Sequence, residues 1–144
     1  MPALYARPGI STAPRQQVEQ VLAPTGQLLW VEDEVQLDAV TALSGSGPAY
    51  VFYFLEAMAQ AGVDMGLPAA QAHQLAVGTF AGASELARRS AESPAVLRQR
   101  VTSKGGTTYA ALQSMEADQL GQKLQNALRA AQQRARELGD EFGA

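Results

Sequence analysis

The chain has 144 residues, no cysteine, one histidine and a net charge of −3, with 17% of its residues charged. This length suits one ordinary domain with its own core, and the absence of cysteine excludes disulfides and thiolate metal ligands. Thinly scattered lysines and arginines argue against a nucleic-acid-binding protein, and a single histidine leaves little material for a metal site or a serine triad.

The N-terminal part of the chain has mixed α/β character. Residues 1–12 contain two prolines and no clear period, which predicts a loop or linker rather than a signal peptide. Residues 14–23 predict a helix that begins near Pro14 and is stopped by Gly26. The run at 28–31 is the one strand-like segment. A single strand cannot satisfy its own backbone, so we expect it to pair with a sheet edge or to belong to a sheet outside this sequence.

From Glu34 onward the pattern is helical. A short helix is predicted for 35–43, and Pro48 is well placed to begin a helix to about residue 61. That second helix is apolar nearly all round, so we expect it to be buried in a core. It is too short for the ~20 residues that a membrane span requires. A third helix, 68–89, presents small side chains that allow close helix packing.

The C-terminal third is predicted to hold three more helices. Ser93-Pro94 marks the start of a short helix to Val101, a helix follows at about 108–116, and Asp118 is expected to cap the last one. The last helix carries leucine and alanine at three- and four-residue spacing, so it needs a partner surface. Its arginines fit a solvated face near a helix C terminus. The surplus of apolar helix surface predicts a helical, interlocked homodimer.

Residues 103–108, Ser-Lys-Gly-Gly-Thr-Thr, form what we call the double-glycine turn. Adjacent glycines allow positive φ, and a helix that follows offers unpaired N–H donors to an anion. The hydroxyls of Ser103, Thr107 and Thr108 add further hydrogen-bonding groups. The same pattern also fits a glycine C-cap followed by a threonine N-cap that binds nothing.

Neither glycine-rich turn matches a nucleotide-binding motif. The turn at 44–48, which we call the serine-glycine turn, has Tyr50 where a dinucleotide fingerprint needs its third glycine, and no strand precedes it. The double-glycine turn has lysine, glycine and threonine in the wrong order for a Walker A loop. The lone His73 is interpreted as a surface or core residue, and no metal site is expected.

Three motifs in this order resemble the pyrroline-5-carboxylate reductases: DAVTALSGSGPAYVF at 38–52, GVDMGLP at 62–68 and VTSKGGTT at 101–108. The resemblance covers residues 28–139. It implies an all-α, intertwined helical dimerisation and substrate-binding domain at 34–144, preceded at 1–33 by a short α/β remnant of a dinucleotide-binding domain. The rest of that cofactor domain, with its glycine-rich loop, is expected to be missing from this sequence.

The resemblance also implies a reaction. Members of the family reduce 1-pyrroline-5-carboxylate, a cyclic imino acid, to L-proline with NADP or NAD as the hydride carrier. We therefore expect a cytoplasmic oxidoreductase of proline biosynthesis that acts as a homodimer or higher homo-oligomer, with no nucleic-acid or membrane partner and no metal. The alternative is a non-catalytic helical dimerisation module or a gene fragment without turnover on its own, and the isolated chain is expected to be inactive in either case.

Site residues follow from the motif positions. Thr108 is implied to hydrogen-bond the ring nitrogen as the catalytic residue, and the N–H groups of Gly106 and Thr107 to hold the substrate carboxylate with the Ser103 hydroxyl. Lys104 could pair with the substrate or lie on the surface. The implied substrate-binding residues are Ser103, Gly105, Gly106, Thr107 and Thr108, and those near the nicotinamide are Ser44, Gly45, Ser46, Gly47 and Pro48.

Overall fold

The computed structural model describes residues 1–142. In chain order the elements are β1 (Ala3–Tyr5), α1 (Thr12–Leu22), a 3₁₀ turn (Ala23–Thr25), β2 (Leu29–Val31), α2 (Gln36–Val40), a π turn (Thr41–Gly45), α3 (Gly47–Asp64), α4 (Ala69–Arg89), α5 (Pro94–Arg100), α6 (Thr107–Ala117) and α7 (Leu120–Phe142). The fold is all-α beyond a short N-terminal α/β part, as the sequence predicts. No helix of the described residues is both long and apolar enough to cross a membrane.

The α/β part contains a two-stranded parallel sheet, in which Ala3, Leu4 and Tyr5 pair with Leu29, Trp30 and Val31. The prediction of a loop over residues 1–12 was therefore wrong at β1, and β2 is not a lone strand. A three-residue strand is too short to show an alternating pattern, and the nearby prolines favour a loop in any sequence-based prediction.

Helix α1 is attached to β2 through one aromatic residue. The indole Nε1 of Trp30 donates a hydrogen bond to the Glu19 carboxylate at 2.5 Å, and the Arg15 guanidinium lies 5.4 Å from the centre of the ring. Arg15 and Glu19 are four residues apart, so they share one face of α1. Gly26 takes a φ of +112°, which ends the helical segment where the sequence predicts it.

Helices α3 and α4 pack closely at one point. Gly62 is buried in α3, and a Cβ atom placed on it would lie 2.9 Å from the Cβ of Ala72 in α4. Ala72 and Ala76 are the buried residues of α4. Small side chains therefore do bring two helices together, although Gly78 and Gly82 of the predicted small-residue surface face open space within the chain.

The prediction that α3 runs through the core was wrong for the single chain. Gly62 is its one buried residue, whereas Phe52 is 65% exposed and Tyr53 69% exposed. The helix also continues past its predicted end to Asp64, and the positive φ of Gly66 follows it. Apolar composition around a whole helix indicates burial, but it does not say whether the covering surface comes from the same chain.

The C-terminal helices begin close to their predicted positions, with one correction. Ser93 caps α5 by accepting a hydrogen bond from the Val96 N–H at 3.4 Å. Asp118 does not cap α7 as predicted, because it is the C-cap of α6. Gln119 takes a φ of +54°, and its carbonyl accepts the Lys123 N–H at 2.9 Å. The connection thus needs a left-handed residue at 119 between the two helices.

The chain divides into two compact units, Met1–Pro48 with Gln125–Ala144, and Ala49–Leu124. In the first unit the Arg136 guanidinium of α7 lies 3.5 Å from the Asp38 carboxylate of α2. In the second, α3 and α4 meet at Gly62, and the double-glycine turn joins α5 to α6. The predicted domain boundary between residues 33 and 34 rests on the family resemblance and not on contacts within the chain, so it stays a prediction.

Candidate functional site

The double-glycine turn lies in the second unit, between the end of α5 and the start of α6. Thr102, which precedes it, donates its hydroxyl to the Arg98 carbonyl at 2.6 Å and its N–H to the Gln99 carbonyl at 3.0 Å. Inside the turn the Gly106 N–H donates to the Ser103 carbonyl at 3.0 Å. The turn is therefore tied to α5 on one side and closed on itself on the other.

The structure favours glycine at the two positions of the turn for different reasons. Gly105 has a φ of +73°, the left-handed region that side chains disfavour, while the space around it is open. Gly106 has extended backbone (φ −80°, ψ 175°), but a Cβ atom there would lie 2.5 Å from the Ser103 Oγ. The Ser103 hydroxyl therefore lies directly against Gly106, the last residue before α6.

No side chain caps the N terminus of α6. The four N–H groups at the start of a helix have no intrahelical acceptor. The N–H of Gly106, which we expected to hold the substrate carboxylate, is instead donated to Ser103. Among the described residues, no acceptor takes the N–H groups of Thr107, Thr108 and Tyr109.

These donors and the nearby hydroxyls form one small polar surface. Ser103, Lys104 and Thr107 are exposed, and Thr108 is half-buried. A helix N terminus carries a partial positive charge, and the Lys104 ammonium group adds a full one in the same turn. The arrangement can accept a small anion through N–H and hydroxyl donors.

The serine-glycine turn lies in the first unit at the start of α3. Residues Thr41–Gly45 form a π turn in which the Ser46 N–H donates to the Thr41 carbonyl at 2.8 Å. Such widened turns occur often at functional sites. A Cβ atom on Gly47 would meet nothing within 4 Å, and one on Gly45 would meet only the Thr41 methyl group at 3.8 Å. Nothing in the chain itself therefore requires glycine at these two positions.

Part of the serine-glycine turn borders a cleft of about 610 Å³ in the first unit, lined by Met1, Pro2, Ala3, Thr25, Leu37, Val40, Thr41, Ser44 and Gly45. Ser44 is half-buried and Gly45 is exposed there. Ser46, Gly47 and Pro48 do not line it. The cleft lies at the amino end of β1, so it is not the carboxyl-end crevice in which doubly wound sheets bind dinucleotides.

Shifted pKa values lie on helix surfaces away from both turns. Hydrogen bonds from Arg88, then from Arg89, lower the pKa of the Glu85 carboxyl. On α7, the bond from Arg134, followed by that from Gln133, lowers the pKa of Glu137. These are exposed ion pairs within single helices, which contribute little to stability. Across residues 1–142, no three His, Cys, Asp or Glu side chains are grouped so that they could hold a metal ion.

Two threonines beside the turns were missed by reasoning from the sequence. Thr41 supplies the carbonyl that closes the π turn, and Thr102 supplies the hydroxyl that holds the double-glycine turn to α5. The position of Thr102 directly before the turn was the available signal, because threonine side chains often bond carbonyls of the preceding helical turn. No pattern in the sequence marks the π turn.

Comparisons with known proteins cover most of the chain. The family model for pyrroline-5-carboxylate reductase dimerisation matches residues 34–138. A pyrroline-5-carboxylate reductase from Pseudomonas aeruginosa is 46% identical over 140 residues, which are 97% of this chain and 51% of that protein. One from Arabidopsis thaliana is 44% identical over 121 residues, 84% of this chain and 44% of the relative.

Solved structures give the same result. The structure of a pyrroline-5-carboxylate reductase from Coxiella burnetii has a TM-score of 0.89 and 38% identity, covering 94% of this chain and 50% of that one. A pyrroline carboxylate reductase from Plasmodium falciparum, solved with NADP bound, has a TM-score of 0.85 and 27% identity, covering 95% and 56%. The chain thus spans about half the length of the curated relatives that it matches.

Proposed function

The chain belongs to the pyrroline-5-carboxylate reductase dimerisation family, and we propose that it supplies the substrate-binding and dimerising half of an enzyme that reduces 1-pyrroline-5-carboxylate to L-proline. The observation that carries this proposal is the start of α6. Three N–H groups without acceptors lie there beside the hydroxyls of Ser103, Thr107 and Thr108. A small anionic ring needs such a set of fixed donors.

The substrate carboxylate would bind at the double-glycine turn. Of the two predicted backbone donors, the Thr107 N–H has no competing acceptor among the described residues, whereas the Gly106 N–H is already used within the turn. We therefore assign the carboxylate to the Thr107 N–H and its neighbours in the first turn of α6, with the Ser103 hydroxyl as a further donor. A helix N terminus favours a carboxylate electrostatically as well as through its hydrogen bonds.

Thr108 would act on the ring nitrogen. Its half-buried side chain lies one residue into α6, so a substrate whose carboxylate bonds the helix start has its ring close to this hydroxyl. The hydroxyl can donate to or accept from the nitrogen while the imine carbon is reduced. NADPH or NADH would supply the hydride, and the chain's own residues hold and orient the substrate.

The serine-glycine turn would lie at the nicotinamide end of the cofactor. A relative binds NADP, which supports a nicotinamide cofactor for this chain's enzyme. Gly45 and Gly47 leave open space where a side chain would otherwise stand, so a flat ring could approach the backbone there. The rest of the dinucleotide would need groups that the two-stranded sheet does not provide, and the sequence contains no G-x-G-x-x-G loop.

The dimer is supported by the exposed surface. The chain exposes 10895 Å², whereas a monomeric protein of 15.2 kDa exposes about 7,100 Å². The large apolar side chains left exposed on α3 include Val51, Phe52, Tyr53, Met58 and Val63. The excess of about 3,800 Å² per chain, or about 7,600 Å² for two chains, is more than enough for an obligate homodimer, whose two partners together bury about 2,000–5,000 Å² or more.

Replacing Thr108 tests the assignment of the site. We expect the purified chain alone not to oxidise NADPH with 1-pyrroline-5-carboxylate, and a fusion that restores the N-terminal half of the Pseudomonas aeruginosa relative to do so. In that fusion, Thr108→Ala should lower turnover roughly ten- to a hundredfold, because a positioned hydrogen-bonding group is lost at the reacting atom. Circular dichroism controls for folding, and an unchanged rate would remove Thr108 from the site.

The alternative is a dimerisation module without catalysis. The small cores of the two units and the wide apolar exposure are compatible with a domain whose main role is association. Such a module would dimerise, yet its fusion would give no turnover and the chain would not bind L-proline. The amide chemical shifts of residues 105–109 during a titration with L-proline distinguish the two proposals.

A further inference from the structure

We propose that Thr102 is the positioning residue of the substrate site, acting through its hydroxyl and not through contact with the substrate. The inference rests on the proposed function, since it concerns how the double-glycine turn is held in a binding geometry. Thr102 is half-buried, precedes the turn by one residue, and directs both of its hydrogen-bond donors back into α5.

Helix α5 offers an anchor for the double-glycine turn. Its start is capped by Ser93, and the Arg100 guanidinium pairs with the Glu92 carboxylate just before that cap. The ion pair joins the end of α5 to the residue before its N-cap, across one short helix of seven residues, and the Ser93 cap satisfies an N–H in the first turn. The double-glycine turn is therefore attached to a helix that an ion pair spans from end to end.

Thr102 connects the turn to α5. The carbonyls of a final helical turn lack intrahelical donors. The Thr102 hydroxyl satisfies the Arg98 carbonyl at 2.6 Å, and its N–H satisfies that of Gln99 at 3.0 Å. The two bonds together fix the backbone of Thr102, and hence the direction in which the chain enters Ser103.

Ser103 in turn contacts the residue that precedes the N–H donors of α6. The Ser103 carbonyl accepts the Gly106 N–H at 3.0 Å, and its hydroxyl lies so close to Gly106 that it would have to move to admit a Cβ atom there. A rotation at Thr102 would therefore move the Ser103 hydroxyl relative to the N–H groups of Thr107 and Thr108. Those are the groups that would hold the carboxylate.

The test is a titration of the purified chain with L-proline, followed by the amide signals of residues 105–109. Thr102→Val keeps the branched shape and removes the hydroxyl, so it should weaken binding about tenfold, the effect of one lost hydrogen bond. Thr102→Ser restores the hydroxyl without the methyl group and should bind within about twofold of the unmodified chain. Rescue by serine separates the hydroxyl from simple packing.

Hydrogen exchange at the Gly106 amide gives a second measurement that needs no ligand. Thr102→Val should speed this exchange, whereas Thr102→Ser should leave it nearly unchanged. Should the valine variant not fold, Thr102→Ala replaces it with the same expectations. Equal binding by the valine and unmodified chains, or equal loss in the serine and valine variants, would overturn the inference.

The proposed function can fail separately in the same experiment. If the unmodified chain shows no shift with L-proline, the substrate assignment is wrong. The exchange of Gly106 then still decides the role of Thr102. Faster exchange in the valine variant supports positioning of the turn, and unchanged exchange refutes it.

Discussion

At the scale of single residues, the double-glycine turn combines two different constraints on adjacent positions. Gly105 is restricted by its backbone, with a φ of +73° in open surroundings. Gly106 is restricted by a neighbour, because a Cβ would lie 2.5 Å from the Ser103 Oγ and 3.3 Å from the Ser103 carbonyl oxygen. Substitutions at the two positions should therefore respond differently to changes at Ser103.

The double-mutant cycle between Ser103 and Gly106 measures that difference. Gly106→Ala should reduce the free energy of unfolding by about 1–2 kcal/mol, since overpacking and a poorer N-cap act together. In a Ser103→Ala background the penalty should fall, because the hydroxyl that clashes is gone. Urea denaturation of the four chains gives the coupling.

Gly105→Ala is the matched control for this cycle. Its penalty arises from backbone strain and should be the same in both backgrounds, at about 1 kcal/mol. An equal penalty for Gly106→Ala in the two backgrounds would contradict the contact with Ser103.

At the scale of secondary-structure elements, several helices could be predicted because they carry start or stop signals of their own. Pro14, Ser93-Pro94 and the double glycine lie at or near the starts of helices, and Gly26 and Gly66 follow their ends with positive φ. β1 could not be predicted, because its strand character comes from pairing with β2 and not from its three residues. The π turn likewise depends on local geometry that composition does not encode. The same holds for the residue before α7, which is Gln119 and not the predicted Asp118.

The candidate site was predictable to a similar extent. The order of the three motifs identified the two turns, and the N–H and hydroxyl donors of the double-glycine turn indicated an anionic ligand. The use of the Gly106 N–H within the turn and the bond from Thr102 to Arg98 depend on the path of the backbone, so they became visible only in three dimensions. Reasoning from residue types assigns donors to a site, but it cannot tell which donors the turn uses for itself.

The packing of α3 on α4 makes an element-scale prediction. Gly62→Ala places a Cβ 2.9 Å from that of Ala72, which is fixed to the α4 backbone, so the two helices must move apart. We expect a loss of about 1–3 kcal/mol in the free energy of unfolding at a fixed protein concentration. Thermal or urea denaturation measures it.

The compensating variant for this pair is Ala72→Gly. The double variant Gly62→Ala with Ala72→Gly transfers the methyl group from one helix to the other and should regain part of the loss. Ala72→Gly alone gives the cost of the added helix glycine, about 1 kcal/mol. If Gly62→Ala is as stable as the unmodified chain, the close approach of α3 and α4 is not as the structure describes it.

At the scale of the whole molecule, exposed apolar surface is the dominant property. The buried apolar side chains of the described residues are those of Ala42, Ala72 and Ala76, each 3% exposed. No large side chain of the described residues is fully buried. So little complete burial within one chain fits the proposed homodimer, in which a second chain would cover part of the helix surface.

A sizing experiment tests this conclusion. Light scattering of the chain at micromolar concentration should give a mass of at least twice 15.2 kDa. The melting temperature should also rise with protein concentration, because association stabilises only the folded state. A well-folded monomer whose melting temperature is independent of concentration would refute the homodimer.

The exposed apolar side chains of α3 also affect how the chain folds. Helices form quickly from local contacts, so a newly made chain would present Val51, Phe52 and Tyr53 to water before any partner is bound. During that interval correct assembly competes with aggregation, which consumes the same intermediate. For the proposed homodimer, the yield of folded protein would depend on how soon two chains meet, and a molecular chaperone that shields α3 would raise it.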